Sequence, residues 1–439
     1  MFGDRYEIRL VLETATPLHI GTGELENIGP RPGEEEANAF ATIVRDDRDL
    51  PYLPATSIKG ALRRLAEQHF PGDAGFVPLF GKIPEEEQQG RQPGVMGRLL
   101  VRGGRVVGAI PDVSRAPFAN PQRKASFIAA RTAVDGEKGV ADEHKLFHQE
   151  MVPPGLSFAL VMTLLSFGKR RDNDSALDLL RSLLKVVVRD GLVLGRSQAD
   201  GQGVLKVKGQ VTITPYVLTG EGELTAGKPE NAESAPAQKE NIPGEICRRH
   251  FELLCAAPFA VVDSSVKGLG KDIAKEQGSV QLSAQRLTHK KPLLLGSSIS
   301  GALRARVHWR WRLEVLRGSM KEAEKEDDDP VKELFGTSRR RALIEIRNLT
   351  VSEAMGEKIT SLKVDRLTGA PVYGALFTTD TFTGTRVSFD LVLVHRGKEP
   401  STDAQTIWQK LLVDVEKAGL QLGHGINKGF GWFKQEKAA

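Results

Sequence analysis

The residues best suited to chemistry fall in two glycine-rich segments. One reads Leu194-Gly-Arg-Ser-Gln-Ala-Asp-Gly-Gln-Gly-Val-Leu-Lys206, the other Leu422-Gly-His-Gly-Ile-Asn-Lys-Gly-Phe-Gly-Trp-Phe-Lys434. Without a Cβ, a glycine backbone can approach a ligand closely, and successive exposed N–H groups can hold phosphate oxygens. Gly195, Gly201 and Gly203 would form one such cradle, and Gly423, Gly425, Gly429 and Gly431 the other. Arg196, Ser197 and Lys206 would add donors to the first, and His424, Asn427, Lys428 and Lys434 to the second. The spacing is neither Gly-x-Gly-x-x-Gly after a strand nor the Walker pattern, which disfavours a nucleotide cofactor. A tight β-turn, repeated because the fold was copied, is the plainer reading of either loop alone.

A second feature points to the same chemistry. Thr56-Ser57-Ile58-Lys59-Gly60 would put hydroxyls, a lysine and free N–H groups at a helix N-terminus, where anions are favoured, and Arg63 and Arg64 extend the positive face. Its counterpart has Ser297, Ser298 and Ser300, with Arg304 and Arg306, but no lysine at the Lys59 position. Ordinary helix capping explains these residues equally well. His144 and His148 stand four apart near Glu150, the spacing of a helical metal pair, but they fall where a hairpin is expected. His19, beside the first strand, reads as packed or ligand-facing, or as a general base.

The elements that would position these groups alternate. Residues 6–12 read as a strand with Ile8, Leu10 and Leu12 on one face, and 156–165 as another. Residues 57–68 read as a helix capped by Thr56 or Ser57, with Ile58, Leu62 and Leu65 as its stripe. Residues 177–188 read as a helix closed by Gly191. This order suits an α+β, ferredoxin-like or RRM-like sandwich.

The pattern occurs twice. The glycines of the two segments share offsets, and Leu183-Leu184, Gly191-Leu192 and Leu194 answer Leu411-Leu412, Gly419-Leu420 and Leu422. Asp135 to Gly139, Leu146-Phe147 and Glu150 match Asp365 to Gly369, Leu376-Phe377 and Asp380 at identical spacing. Pro51-Tyr-Leu-Pro-Ala-Thr-Ser-Ile-Lys-Gly-Ala-Leu-Arg63 resembles Pro292-Leu-Leu-Leu-Gly-Ser-Ser-Ile-Ser-Gly-Ala-Leu-Arg304, and a Leu-Phe-Gly follows each. A tandem duplication is expected, with copies at 1–218 and 245–439 and a flexible linker at 219–244, which is rich in Gly, Glu, Ala, Pro, Asn and Lys. Residues 84–120 read as an inserted excursion, and 321–329 as a solvated loop.

Composition narrows the class. The 439 residues are 40% hydrophobic and 27% charged, as in a globular chain. Two cysteines, Cys247 and Cys255, leave no disulfide framework or cysteine-rich zinc module. No apolar run approaches the ~18 residues of a membrane span, and the first residues do not read as a signal peptide, so no membrane partner and a cytoplasmic location are expected. The net charge of +5 permits a polyanionic partner without demanding one.

Taken together, the sequence resembles the RAMP superfamily of CRISPR-associated proteins, and most closely the backbone subunits of type III effector complexes. The resemblance rests on Thr16-Pro-Leu-His-Ile-Gly-Thr-Gly23, Tyr52 to Arg63, Leu79-Phe-Gly81, Arg131 to Phe158 and the two glycine loops. Two such copies in one chain look like a fused double backbone subunit of the type III-D or III-E kind. The resemblance implies two tandem RRM-like palms and partners comprising CRISPR guide RNA, complementary target RNA and other effector subunits. It also implies thumb-like hairpins at 131–152 and 363–381, and guide pairing as the source of sequence specificity.

The resemblance further implies target-RNA cleavage by an acidic residue after the first strand, with Mg²⁺ or Mn²⁺ as the hard cation. In the first copy that loop has Glu24, Glu26, Glu34, Glu35 and Glu36 but no aspartate, Asp46 and Asp47 falling in the turn before Pro51. Of these Glu36 is the candidate. In the second copy Asp263 and Asp272 stand in the loop, and Asp272 is the preferred catalytic and metal-binding residue. Two rival readings remain: a scaffold that binds RNA and cuts nothing, and a metal-independent nuclease that matures guide RNA through histidine chemistry.

Overall fold

The computed structural model describes residues 4–27, 39–82, 94–112, 123–134, 141–166, 174–219, 223–232, 244–262, 279–282, 284–288, 290–321, 329–337, 339–397 and 399–435. Its first half is organised around strand β1 (Arg5–Thr14), helix α1 (Ala55–His69), and the hairpin of β2 (Phe127–Val134) and β3 (Ala141–Met151). Strand β4 (Ser157–Leu165), helix α2 (Ser175–Asp190), β5 (Val204–Val207) and β6 (Val211–Leu218) complete it. The second half repeats the plan with β7 (Glu245–Cys255), α3 (Gly296–Leu316), β8 (Ile344–Val351) and the hairpin of β9 (Met355–Val364) and β10 (Pro371–Thr383). It ends with β11 (Thr385–Val394), α4 (Thr402–Ala418) and β12 (Trp432–Gln435).

Strand order shows the copying directly. β1 pairs antiparallel with β4 on one side and with β5 and β6 on the other. β7 pairs antiparallel with β11 on one side and with β12 on the other. In each copy the strand after the glycine turn also meets a two-residue strand just before that turn, Leu192–Val193 or Leu420–Gln421. The architecture is a mixed α+β chain in two corresponding halves.

Each half has its own apolar core, because each sheet covers one face with helices. Ile8, Leu10 and Leu12 of β1 are buried as their alternation predicts, against Leu177, Leu180, Leu184 and Val187 of α2. In the second half Phe251 and Leu253 of β7 meet Ile407, Trp408, Leu411 and Val415 of α4. Each fully buried side chain of this kind contributes about 1.5–3 kcal/mol relative to exposure. Gly191 closes α2 at φ 87°, its N–H reaching the Val187 carbonyl at 2.8 Å, as the sequence predicts.

Several local expectations are corrected. α1 starts at Ala55 behind Pro54, and neither Thr56 nor Ser57 caps it; Pro54 itself holds the extended N-cap conformation. Part of the expected linker is strand: Leu224–Ala226 and Glu230–Ala232 both pair with β6, while 233–243 lie outside the described residues. The expected excursion returns to the main sheet, where Leu99–Val101 and Gly104–Val107 pair with β4. Among the described residues no helix is long and apolar enough to cross a membrane.

Candidate nucleic-acid interface

The two glycine turns share one hydrogen-bond pattern. Arg196 N–H donates to the His19 carbonyl, Gly203 N–H to Pro17 and Leu194 N–H to Gly203. In the second copy His424 N–H donates to Ala260, Gly431 N–H to Pro258 and Leu422 N–H to Gly431. The glycines are required by close approach of backbone. A Cβ on Gly203 or Gly431 would lie 1.8 Å from a leucine carbonyl oxygen, and one on Gly195 or Gly423 would lie 2.3 Å from the oxygen of His19 or Ala260. Of the amides expected to cradle phosphate, those of Gly201, Gly203, Gly429 and Gly431 therefore donate within the chain, a use the sequence alone could not distinguish.

The first turn is also covered by the second half. Gly201 packs so that a Cβ would stand 2.8 Å from the Ile346 carbonyl oxygen, and a Cβ on Gly296 would stand 1.7 Å from that of Asp200. Ser300 Oγ donates to the Asp200 carboxylate at 2.8 Å, so this predicted anion ligand is spent on a protein acid. Arg131 approaches the same carboxylate at 3.5 Å and donates to Ser197 Oγ at 3.3 Å. Beside this joint Phe127, Ala129 and Met151 of the first half pack with Leu293 and Leu295 of the second. Desolvation, against the pull of Asp200, lowers the Arg131 pKa below its ordinary value.

Alongside the joint opens a cleft of about 490 Å³ lined by Asp200, Ser297, Ser300, Arg304, Arg339, Arg340 and Arg341. Arg340 has an acid, Glu333, at 3.6 Å. Arg304, Arg339 and Arg341 are exposed and form no ion pair among the described residues. The cleft can thus take anionic groups from solvent. Of its arginines the sequence singled out only Arg304, because residues 339–341 belong to no repeated motif.

The other predicted cations are divided. Lys59 donates to the Leu99 carbonyl at 3.0 Å, and burial followed by repulsion from Arg63 lowers its pKa. Arg63 pairs with Glu67 at 3.2 Å, and half-buried Arg64 donates to the Val193 carbonyl. Burial first, then Arg341, lowers the Arg64 pKa. Lys206 donates to the Asp190 carbonyl at 2.7 Å. Lys428 lies 5.8 Å over the Phe377 ring and donates to Ser361 Oγ at 3.3 Å, while Lys434 lies over Trp432. Ser298 uses its N–H on the Leu295 carbonyl. Arg196, Asn427 and Gly429 remain exposed.

The sequence pattern of the RAMP superfamily matches residues 11–206 and again 211–434, in two tandem regions that together take in almost the whole chain. The chain belongs to the RAMP superfamily. No curated protein matches it. The membership supports the coarse reading of the sequence, a CRISPR-associated RNA-binding RAMP protein that acts with other subunits.

Within the RAMP protein the acids expected to cleave are only partly visible. Glu36, Asp263 and Asp272 lie outside the described residues, as do Glu34 and Glu35. Glu24 and Glu26 are exposed on Gly21–Asn27, and Glu26 is bound by Arg123. Asp46 accepts from Arg48 and from the amides of Arg48 and Leu50, organising the turn, and Asp47 pairs with Arg105 at 2.9 Å. Among the described residues no group of three or more His, Cys, Asp or Glu is placed to hold a metal ion.

Two histidines of the RAMP motif, His19 and His148, are packed into the first half. His19 is buried, and its Nδ1–H donates to the Glu150 carbonyl at 2.7 Å. Desolvation, partly offset by that hydrogen bond, holds its pKa below the ordinary value. His148 is buried on β3, a strand, so the helical spacing that would pair it with His144 is lost.

Proposed function

We propose that this RAMP protein is a guide CRISPR RNA-binding backbone subunit of a type III effector complex in antiviral defence. The observation that carries the reading is the group formed by Arg304, Arg339 and Arg341, which rim an open cleft and have no ion-pair partner among the described residues. Such groups hold RNA through phosphates, leaving sequence choice to base pairing. In this reading each half is an RRM-like palm. The hairpins β2–β3 and β9–β10 are the thumbs that separate guide–target pairs. The chain is a fused double subunit of the III-D or III-E kind.

The same reading assigns target-RNA cleavage to the second half, with Asp272 or Asp263 as the carboxylate. A bound Mg²⁺ or Mn²⁺ would supply Lewis acidity at the scissile phosphate. The first half acts as a scaffold: of its described loop acids, Glu26 is already neutralised by Arg123.

Two experiments test this. Binding of a labelled repeat–spacer RNA should weaken at least tenfold in an Arg304→Ala, Arg339→Ala, Arg341→Ala variant, and wild-type affinity in a folded variant would defeat the reading. In a complex assembled with guide and Mg²⁺, Asp272→Ala or Asp263→Ala should abolish the cuts opposite this subunit, and unchanged cutting in both would leave only the scaffold.

A further inference from the structure

The joint between the halves consists of a glycine turn of one copy seated on the helix start of the next. The same two parts recur at the far ends of the repeat, where no such joint is formed among the described residues. The turn 422–431 exposes Ile426, and a Cβ on Gly429 would meet nothing within 4 Å. The start of α1 exposes Thr56 and Gly60. A second copy of this chain could in principle add there, turn onto helix, without limit.

The residues that make the internal joint are changed in the free parts. Gly296, where Asp200 leaves no room for a side chain, corresponds to Ala55, so the same seat is blocked by a methyl group. Ser300, which donates to Asp200 at 2.8 Å, corresponds to Lys59, and Asp200 corresponds to Lys428. A second copy docked in the same way would set Lys428 against the Lys59 position, whose own cation is held on the Leu99 carbonyl, so two cations would stand near each other in place of a hydroxyl and a carboxylate. The apolar wedge is missing as well. The hairpin registers, Phe127 with Met151 and Glu357 with Thr381, place an exposed glutamate and a threonine where the first half has Phe127 and Met151.

Lys428 is held in place rather than loosely tethered. In the first half Arg131, on β2, lies 5.7 Å over the Phe147 ring. In the second, the strand residue at that register is Ser361, and Lys428 of the turn takes the cation's place 5.8 Å over Phe377. The turn keeps its architecture and reverses the charge it presents.

We propose that the chain is built to stop at two copies. Its terminal turn rejects the α1 of a second identical chain and fits a different subunit, one whose helix start carries no side chain at the Ala55 position and an acid at the Lys59 position. Like charges and a blocked seat act against the identical partner, while Lys428 is matched by the acidic one. This inference does not depend on the RNA reading.

A modified copy of the chain supplies the probe. Ala55→Gly with Lys59→Glu creates the fitting helix start, and Lys428→Glu in the same molecule makes its own turn repel that start. Wild type alone and this triple variant alone should each sediment as single chains. Their mixture should give a two-chain complex at least tenfold tighter than either self-association. Two results overturn the proposal: wild type forming multi-chain species that Gly429→Asn abolishes, or no two-chain species in the mixture when both chains melt as wild type does.

Discussion

The Glu150 carboxylate, almost wholly buried on β3, accepts from Arg45 Nη2 at 2.5 Å, and its twin Asp380 accepts from Arg286 at 3.1 Å. Each arginine stands in β register with the proline six residues on, Pro51 or Pro292, so the same ion pair ties the hairpin to the segment that leads into the long helix in both copies. The two are unequally protected. Glu150 is 1% exposed and also binds Arg123, Ser126 and the Ile43 amide, whereas Arg286 and Asp380 are each 20% exposed. Glu150→Gln removes the buried carboxylate that Arg45 and Arg123 share and leaves them only the more exposed Asp49 and Glu26, and unfolding by urea should show a loss of about 3 kcal/mol. Asp380→Asn, in reach of water, should cost about 1 kcal/mol.

Glycine substitutions should separate the two roles of the turns. At Gly203 the backbone has φ 76° and a Cβ would fall 1.8 Å from the Leu194 oxygen. Gly203→Ala meets both strain and collision, so chemical denaturation should register a loss above roughly 2 kcal/mol. At Gly429 φ is 80° but the space is open. There Ala pays the left-handed conformation alone, about 1 kcal/mol.

The duplication was legible because glycines at positive φ and buried leucines leave a fixed spacing in the chain. Gly191, Gly195, Gly203 and their twins Gly419, Gly423 and Gly431 all adopt such angles. The strands with clean alternation were legible for the same reason. What those glycines face was not legible, since a turn that must approach a carbonyl of the same chain and one that must approach a phosphate need the same residue. The Asp200–Ser300 contact joins residues 100 positions apart and has no local signal. Arg339 to Arg341 were missed because nothing in the other copy repeats them.

His19 should make the first half acid-sensitive. Its folded pKa is depressed by burial. The neutral ring is the form that fits, so its full contribution is present above the unfolded value near 6.5 and is lost as pH falls through that value toward the folded one. Thermal unfolding followed between pH 7.5 and 5 should show a steeper loss for wild type than for His19→Gln, whose side chain takes no proton.

The two thiols should differ sharply. Cys255 is fully buried and desolvation pushes its pKa up to about 11, against the pull of the Ala257 and Gly431 backbone, while Cys247 is half-buried. Only thiolate reacts with alkylating agents. Iodoacetamide on the native protein at pH 7.5 should label Cys247 slowly and leave Cys255 untouched, and both should react once the chain is unfolded; mass spectrometry of the peptides reads the outcome.

If Arg304, Arg339 and Arg341 contact phosphates, the salt dependence of RNA binding counts them. Each phosphate contact on a single strand contributes about 0.7 to the slope of log affinity against log salt. Replacing all three with alanine should flatten that slope by ~2, for matched and scrambled RNAs alike, because the contacts carry no sequence information. Lys59→Ala should change the slope little, since its ammonium is already turned inward to the Leu99 carbonyl. Equal slopes for wild type and the triple variant would move the RNA path away from the cleft between the halves, onto surfaces such as that around Arg196 and Asn427.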